Sequence, residues 1–134
     1  MGYSVYLQKF ECGEPAFASY AEVSSILLRY GSVDHVDGRI EFAPHGDYLC
    51  EVGFVGGSET EGVDSISFER PVSGGRLGAL VFELLGVGGM CYFEQDANFV
   101  LARTDVTADL PDGLVDQCEA RCVTVIQSAE DVPL

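Results

Sequence analysis

The chain predicts an α+β fold: one domain over residues 1–134, with a largely antiparallel sheet of about six or seven strands packed with two or three helices. Three observations lead there. Short segments that alternate apolar and polar residues outnumber helical ones. Three of them follow one another in mid-chain with no helix between, so hairpins and helices mix without strict alternation. The 134 residues, 47% of them apolar, match one ordinary domain with enough side chains for its own core.

Taken in order, "YSVYLQKFE" sets Val5 and Leu7 against Ser4, Tyr6 and Gln8, a strand pattern that ends at the turn-like "CGEP". Residues 18–30 put Tyr20, Val23, Ile26, Leu27 and Tyr30 on one helical face, with Ser19 as candidate N-cap and Gly31 as stop. "GRIEFAP", "DYLCEVGFVG" and "DSISFERP" read as a meander, with "PHGD" as one hairpin turn and "GGSETEG" as a polar loop. The apolar stretch 76–87 reads as a central helix. "MCYFEQ" and "NFVLAR" flank Asp96 and Ala97 as a hairpin, "LPDGLVDQCEA" as a short helix with Pro111 near its first turn, and "RCVTVIQ" as a last strand.

Charge is the strongest global feature. Twenty-two carboxylates face seven Lys and Arg, a net charge of −15. Residues 34–70 hold nine acids against two bases and residues 71–134 ten against three, while the first 33 are nearly neutral. Nucleic acid and anionic membranes need clustered cations and are disfavoured as partners; basic proteins are favoured. No apolar run reaches the length of a membrane span, the longest being broken by Glu83 and glycines. Five cysteines form no Cys-x-x-Cys pair, and the amino terminus lacks the basic start and apolar core of a secretory signal, so a cytoplasmic protein with reduced, mostly buried thiols is expected.

The one stretch that looks like a nucleotide site is "RPVSGGRLGALVFELLGVGGM". Its adjacent Gly74 and Gly75 do not match a dinucleotide fingerprint, and the segment before them ends in a proline turn. Leu77, Leu80, Val81, Leu84 and Leu85 form instead the apolar face of a core helix that starts near Ser73 and stops at "GVGG". "GSETEGVD" has Walker spacing at Gly57 and Gly62, but Val63 and Asp64 occupy the Lys and Ser/Thr positions. Cys118 and Cys122 are four apart and could share a helix face, but with His35 and His45 elsewhere no second close pair completes a structural zinc site, and Asp105, Asp109, Asp112 and Asp116 lack the spacing of a calcium loop. No metal and no cofactor are therefore assigned. No nucleophile elbow is present, and His35 and His45 both lie in turn-like contexts beside aspartates.

"MGYSVYLQKFECGEP", "LVFELLGVGGMCYF" and "VTVIQSAEDVPL" together resemble a set of small bacterial proteins in which a tyrosine-rich first strand, an amphipathic helix and a late helix, Gly-Gly, strand unit recur. These are similar in size, acidity and α+β make-up to the immunity proteins of bacterial toxin systems. The resemblance implies a protein without chemistry of its own that neutralises a cognate toxin by stoichiometric binding. Immunity proteins differ widely in fold, so no site residue transfers.

A toxin acting on nucleic acid or a nucleotide carries a basic active-site surface, which an acidic protein can occupy by charge mimicry. The candidate acidic rim is Asp34, Asp37, Asp47, Glu59, Glu61 and Asp64, expected on loops around the meander, with Tyr48 as candidate anchor. Two other classes stay open. One is a small-molecule-binding or enzymatic domain using His35 or His45 with a nearby carboxylate. The other is a homo-oligomeric scaffold, marked by a large exposed apolar patch.

Overall fold

Val5 and Leu7 are fully buried while Tyr6 and Gln8 on the opposite side of their strand are half-buried, and this period of two sets the two faces of the molecule. The computed structural model describes residues 3–45, 49–71, 76–94, 99–112 and 123–134. The strands are β1 (Ser4–Glu11), β2 (Glu14–Ala16), β3 (Gly31–Val36), β4 (Arg39–Pro44), β5 (Val52–Ser58), β6 (Gly62–Glu69), β7 (Met90–Glu94), β8 (Val100–Ala102) and β9 (Val123–Val125). Helices α1 (Tyr20–Leu27) and α2 (Leu77–Leu85) complete the main elements, with single 3₁₀ turns at Thr107–Asp109 and Ala129–Asp131.

The fold is α+β, and its sheet is open and mostly antiparallel. Among the described residues nine strands pair in the order β3-β4-β5-β6-β1-β7-β8-β9, with β2 paired to the end of β1, and of these pairs only β8 with β9 is parallel. The seven expected strands are present. Two more, β2 and β3, lie in stretches that read as turns, and each is joined to its partner by a two-residue turn with both residues at positive φ: Cys12 and Gly13, then Asp37 and Gly38. That geometry matches the right-handed twist of a hairpin.

Both helices pack on one face. Ser19 caps α1 as expected, its hydroxyl accepting from the Glu22 N–H at 3.2 Å. Val23 and Leu27 are buried, and Leu77, Leu80, Val81, Leu84 and Leu85 all enter the core from α2, against Phe42, Ile66, Phe68 and Tyr92 of the sheet. α2 ends at Gly86, and Gly88 and Gly89 at positive φ turn the chain into β7. Ser73 to Gly75, the expected helix start, lie outside the described residues, as does the expected "LPDGLVDQCEA" helix from residue 113 onward.

On the second face a smaller cluster of Cys91, Val100, Ala102, Val106 and Leu110 covers β7 and β8. Asp105 shapes this cover by accepting from the Thr107 N–H at 3.0 Å and from its hydroxyl at 2.6 Å, bonds that hold its carboxyl below the ordinary carboxylate range. Asp109 ties the cover to the β1–β2 turn, its carboxylate accepting from the Cys12 N–H at 3.2 Å and its carbonyl from the Gly13 N–H at 3.0 Å. Cys50 and Cys91 are buried as expected, but Cys12 sits exposed in that turn; Cys118 and Cys122 lie outside the described residues. No helix among the described residues is long and apolar enough to cross a membrane.

A candidate partner-binding surface at the acidic end of the sheet

Ile40 opposes Val55 across β4 and β5, so the turn joining β3 to β4 and the turn joining β5 to β6 reach the same end of the sheet. The β5–β6 turn is built by its own side chains. The Ser58 hydroxyl accepts from the Glu61 N–H at 3.0 Å and lies 3.3 Å from the Thr60 hydroxyl, which lifts Glu59 and Glu61 into solvent. The segment before α1 is fastened alongside: Ala18 and Val63 exchange both backbone hydrogen bonds, at 2.7 and 2.8 Å. Gly62 makes this approach possible, because its φ is +107° and a Cβ there would stand 2.5 Å from the Ala18 carbonyl oxygen.

Three strips of surface therefore meet. Asp37 comes from the β3–β4 turn, Glu59 and Glu61 from the β5–β6 turn, and Phe17 and Tyr20 from the segment leading into α1. All three carboxylates are exposed, and Phe17 exposes 47% of its surface, large for an aromatic ring. One open cleft lies between Phe17, Tyr20, Glu59 and Glu61; a second lies between His35, Gly38, Ile40 and Glu59. Glu59 separates them. Its Oε1 is 2.9 Å from His35 Nε2, and the His35 ring lies 6.5 Å from that of Tyr20. Partial burial, then the negative Glu59, push the Tyr20 phenol above its ordinary range.

No family model, curated protein or solved structure matches this chain.

Of the expected acidic residues, the fold brings Asp37, Glu59 and Glu61 to one end. Asp34 and Asp64 are not on loops. Asp34 lies in β3 opposite Glu41, on the face away from the helices, because Val33 takes the core side. Asp64 lies in β6 at a bulge: Gly56 pairs Ser65 and Gly57 pairs Val63, which leaves Asp64 as the extra residue. Its Oδ1 accepts from the Ser65 hydroxyl at 3.1 Å. Asp47 and Tyr48 lie outside the described residues. His45 is exposed, and its side chain has no hydrogen bond or ion pair among the described residues, while His35, expected in a turn, is in β3.

Phe17 and Tyr20 were not expected here. Tyr20 reads as core from its helical spacing, and Phe17 precedes the helix and carries no periodic signal. Only the Ala18–Val63 bridge puts them beside the acids. Among the described residues the other exposed large apolar side chains are Tyr3 before β1, Leu28 after α1, Val36 in β3 and Val125 in β9.

Proposed function

We propose that this is an immunity or antitoxin-type protein that neutralises a cognate bacterial toxin by one-to-one binding, with no chemistry of its own. The observation that carries the reading is the grouping of exposed Glu59 and Glu61 with exposed Phe17 and half-buried Tyr20, with exposed Asp37 at the same end of the sheet. Carboxylates at the rim steer and orient a basic partner, and aromatic rings at the centre supply the desolvated contact that charge cannot. The chain's net charge of −15 extends the attraction beyond the patch. The partner is a toxin with a basic active-site surface, and the complex forms in the cytoplasm. Co-expression with each product of the adjacent genes tests this: a toxin is neutralised and co-purifies in equal amounts. If no product is neutralised or retained, the reading is wrong.

The His35–Glu59 pair supports a second reading, a small-molecule-binding or enzymatic site in which Glu59 orients the imidazole. Against it, the two side chains are 53% and 60% exposed, so water competes for every hydrogen bond a substrate would make there. His35→Ala separates the readings. It abolishes turnover of any substrate on the enzymatic reading and leaves toxin neutralisation within a few-fold on the immunity reading.

A further inference from the structure

The sheet is open, and its two edges are not alike. β9 is three residues long; β3 is six residues long, unbroken by a bulge and free of proline. Natural sheets shorten, bend, cover or charge such an edge, because its outward N–H and C=O groups are a template for another strand; of these devices β3 has charge alone, which repels like strands and admits a basic one.

The pairing with β4 shows which groups those are. The two-residue turn at Asp37 and Gly38 closes on the pair Val36 and Arg39. Hydrogen-bonded and non-hydrogen-bonded pairs alternate from there, so Asp34 with Glu41 and Ser32 with Ala43 are bonded, while His35 with Ile40 and Val33 with Phe42 are not. The same count puts Pro44, which has no N–H, opposite Gly31 at a non-bonded position. The backbone N–H and C=O of Val33 and His35 therefore point away from the sheet, and no described residue bonds to them.

We infer that β3 is the docking edge for an extended basic segment of the partner, which adds as a further antiparallel or parallel strand beside Ser32–Val36. The inference rests on the immunity reading, for it names how that partner is held. Charge decides the occupant. Asp34 and Asp37 are exposed along this edge; Glu41, opposite Asp34 on the same face, is paired with Arg39 at 3.2 Å, so Asp34 and Asp37 carry the edge's uncompensated charge. A second copy of this chain added antiparallel about Asp34 would set that carboxylate against its own equivalent, in a molecule of net charge −15. A strand with Lys or Arg at every second position instead places its cations over Asp34 and its alternate, apolar side chains on the face of Val33 and Tyr20, below α1.

The test is amide hydrogen exchange at Val33 and His35, read by NMR on the whole protein. The probe is the peptide Lys-Val-Lys-Val-Lys-Val-Lys, with Glu-Val-Glu-Val-Glu-Val-Glu as control. The basic peptide slows both amides at least tenfold and leaves Thr124 of β9 unchanged, the acidic peptide slows neither amide, and the D34K variant, which spares the positive-φ turn at Asp37, loses the protection while keeping its melting temperature. Failure of the basic peptide to bind, binding without protection of Val33 and His35, or equal protection by the acidic peptide overturns the inference. A toxin that forms a complex while both amides exchange freely removes strand addition and leaves the immunity reading standing. Protection by the peptide with no toxin neutralised removes the immunity reading and leaves the edge.

Discussion

Ala18 and Val63 are held to each other through both of their backbone hydrogen bonds, and this bridge fixes the aromatic segment before α1 against the acidic β5–β6 turn. Neither residue carries charge, and both are buried. They set the distance between Phe17 and the pair Glu59 and Glu61, which local sequence could not set.

Gly62 is the residue that lets the bridge close. Gly62→Ala combines a φ of +107° with a Cβ placed 2.5 Å from the Ala18 carbonyl, and is expected to cost about 2 kcal/mol or more in urea unfolding. Gly38→Ala meets nothing within 4 Å and bears only its φ of +79°, at about 1 kcal/mol. Equal costs would mean that the Gly62 contact carries no strain.

The core face of α2 predicts a larger loss. Leu84 is fully buried between the helices and the sheet, so Leu84→Ala is expected to destabilise by about 2 to 5 kcal/mol, measured by thermal or urea denaturation. A change below about 1 kcal/mol would contradict the placement of α2 in the core.

Much of this core was legible in the sequence. The spacing of Leu77, Leu80, Val81, Leu84 and Leu85 marks a helix whichever partner it meets, and the alternation of Val5 and Leu7 marks a strand. β3 was not legible from alternation. It is an edge strand with three exposed residues at its end, so Asp34, His35 and Val36 give no buried period to read. The Asp37-Gly38 pair was the signal that could have found it, since that dipeptide favours the positive φ of a two-residue hairpin. The acidic end was half legible: composition named Asp37, Glu59 and Glu61, but their meeting with Phe17 and Tyr20 depends on long-range pairing. Asp64 shows the opposite error: β6 begins at Gly62 and takes Asp64 into the strand, where it is the bulged residue.

Alkaline pH should unfold the protein by ionising buried tyrosines. Burial, reinforced by hydrogen bonds to Glu83 and Glu94, raises the phenols of Tyr30 and Tyr92 above the ordinary tyrosine range. Both favour the protonated form in the folded state. Their contribution is therefore complete below the unfolded value of about 10 and is lost as pH rises through the folded values. Absorbance at 295 nm and far-ultraviolet circular dichroism followed together above about pH 10 should show late phenolate formation coinciding with loss of structure. Ionisation of all six tyrosines at ordinary pH with the fold intact would contradict it.

The thiols should divide by burial. The Cys50 thiol is pushed up to about 12 by burial and then by the negative Glu69, and Cys91 is buried, whereas Cys12 is exposed. Iodoacetamide at pH 8 should label Cys12 in the native protein and reach Cys50 and Cys91 only after denaturation, as mapped by mass spectrometry. Native labelling of Cys50 would contradict the packing around β5.

The central claim is that the acidic end binds a basic toxin. Titration calorimetry of the adjacent-gene toxin against the wild type and against the E59K/E61K variant tests it most directly, since both sites are exposed and their reversal should alter stability by only about 0.5 kcal/mol. Binding at the acidic end gives a one-to-one complex with the wild type, weakened at least tenfold by the double reversal and weakened further as salt rises through the range where the screening length falls below about 10 Å. Absence of binding to the wild type, or equal affinity of the two proteins, would contradict it.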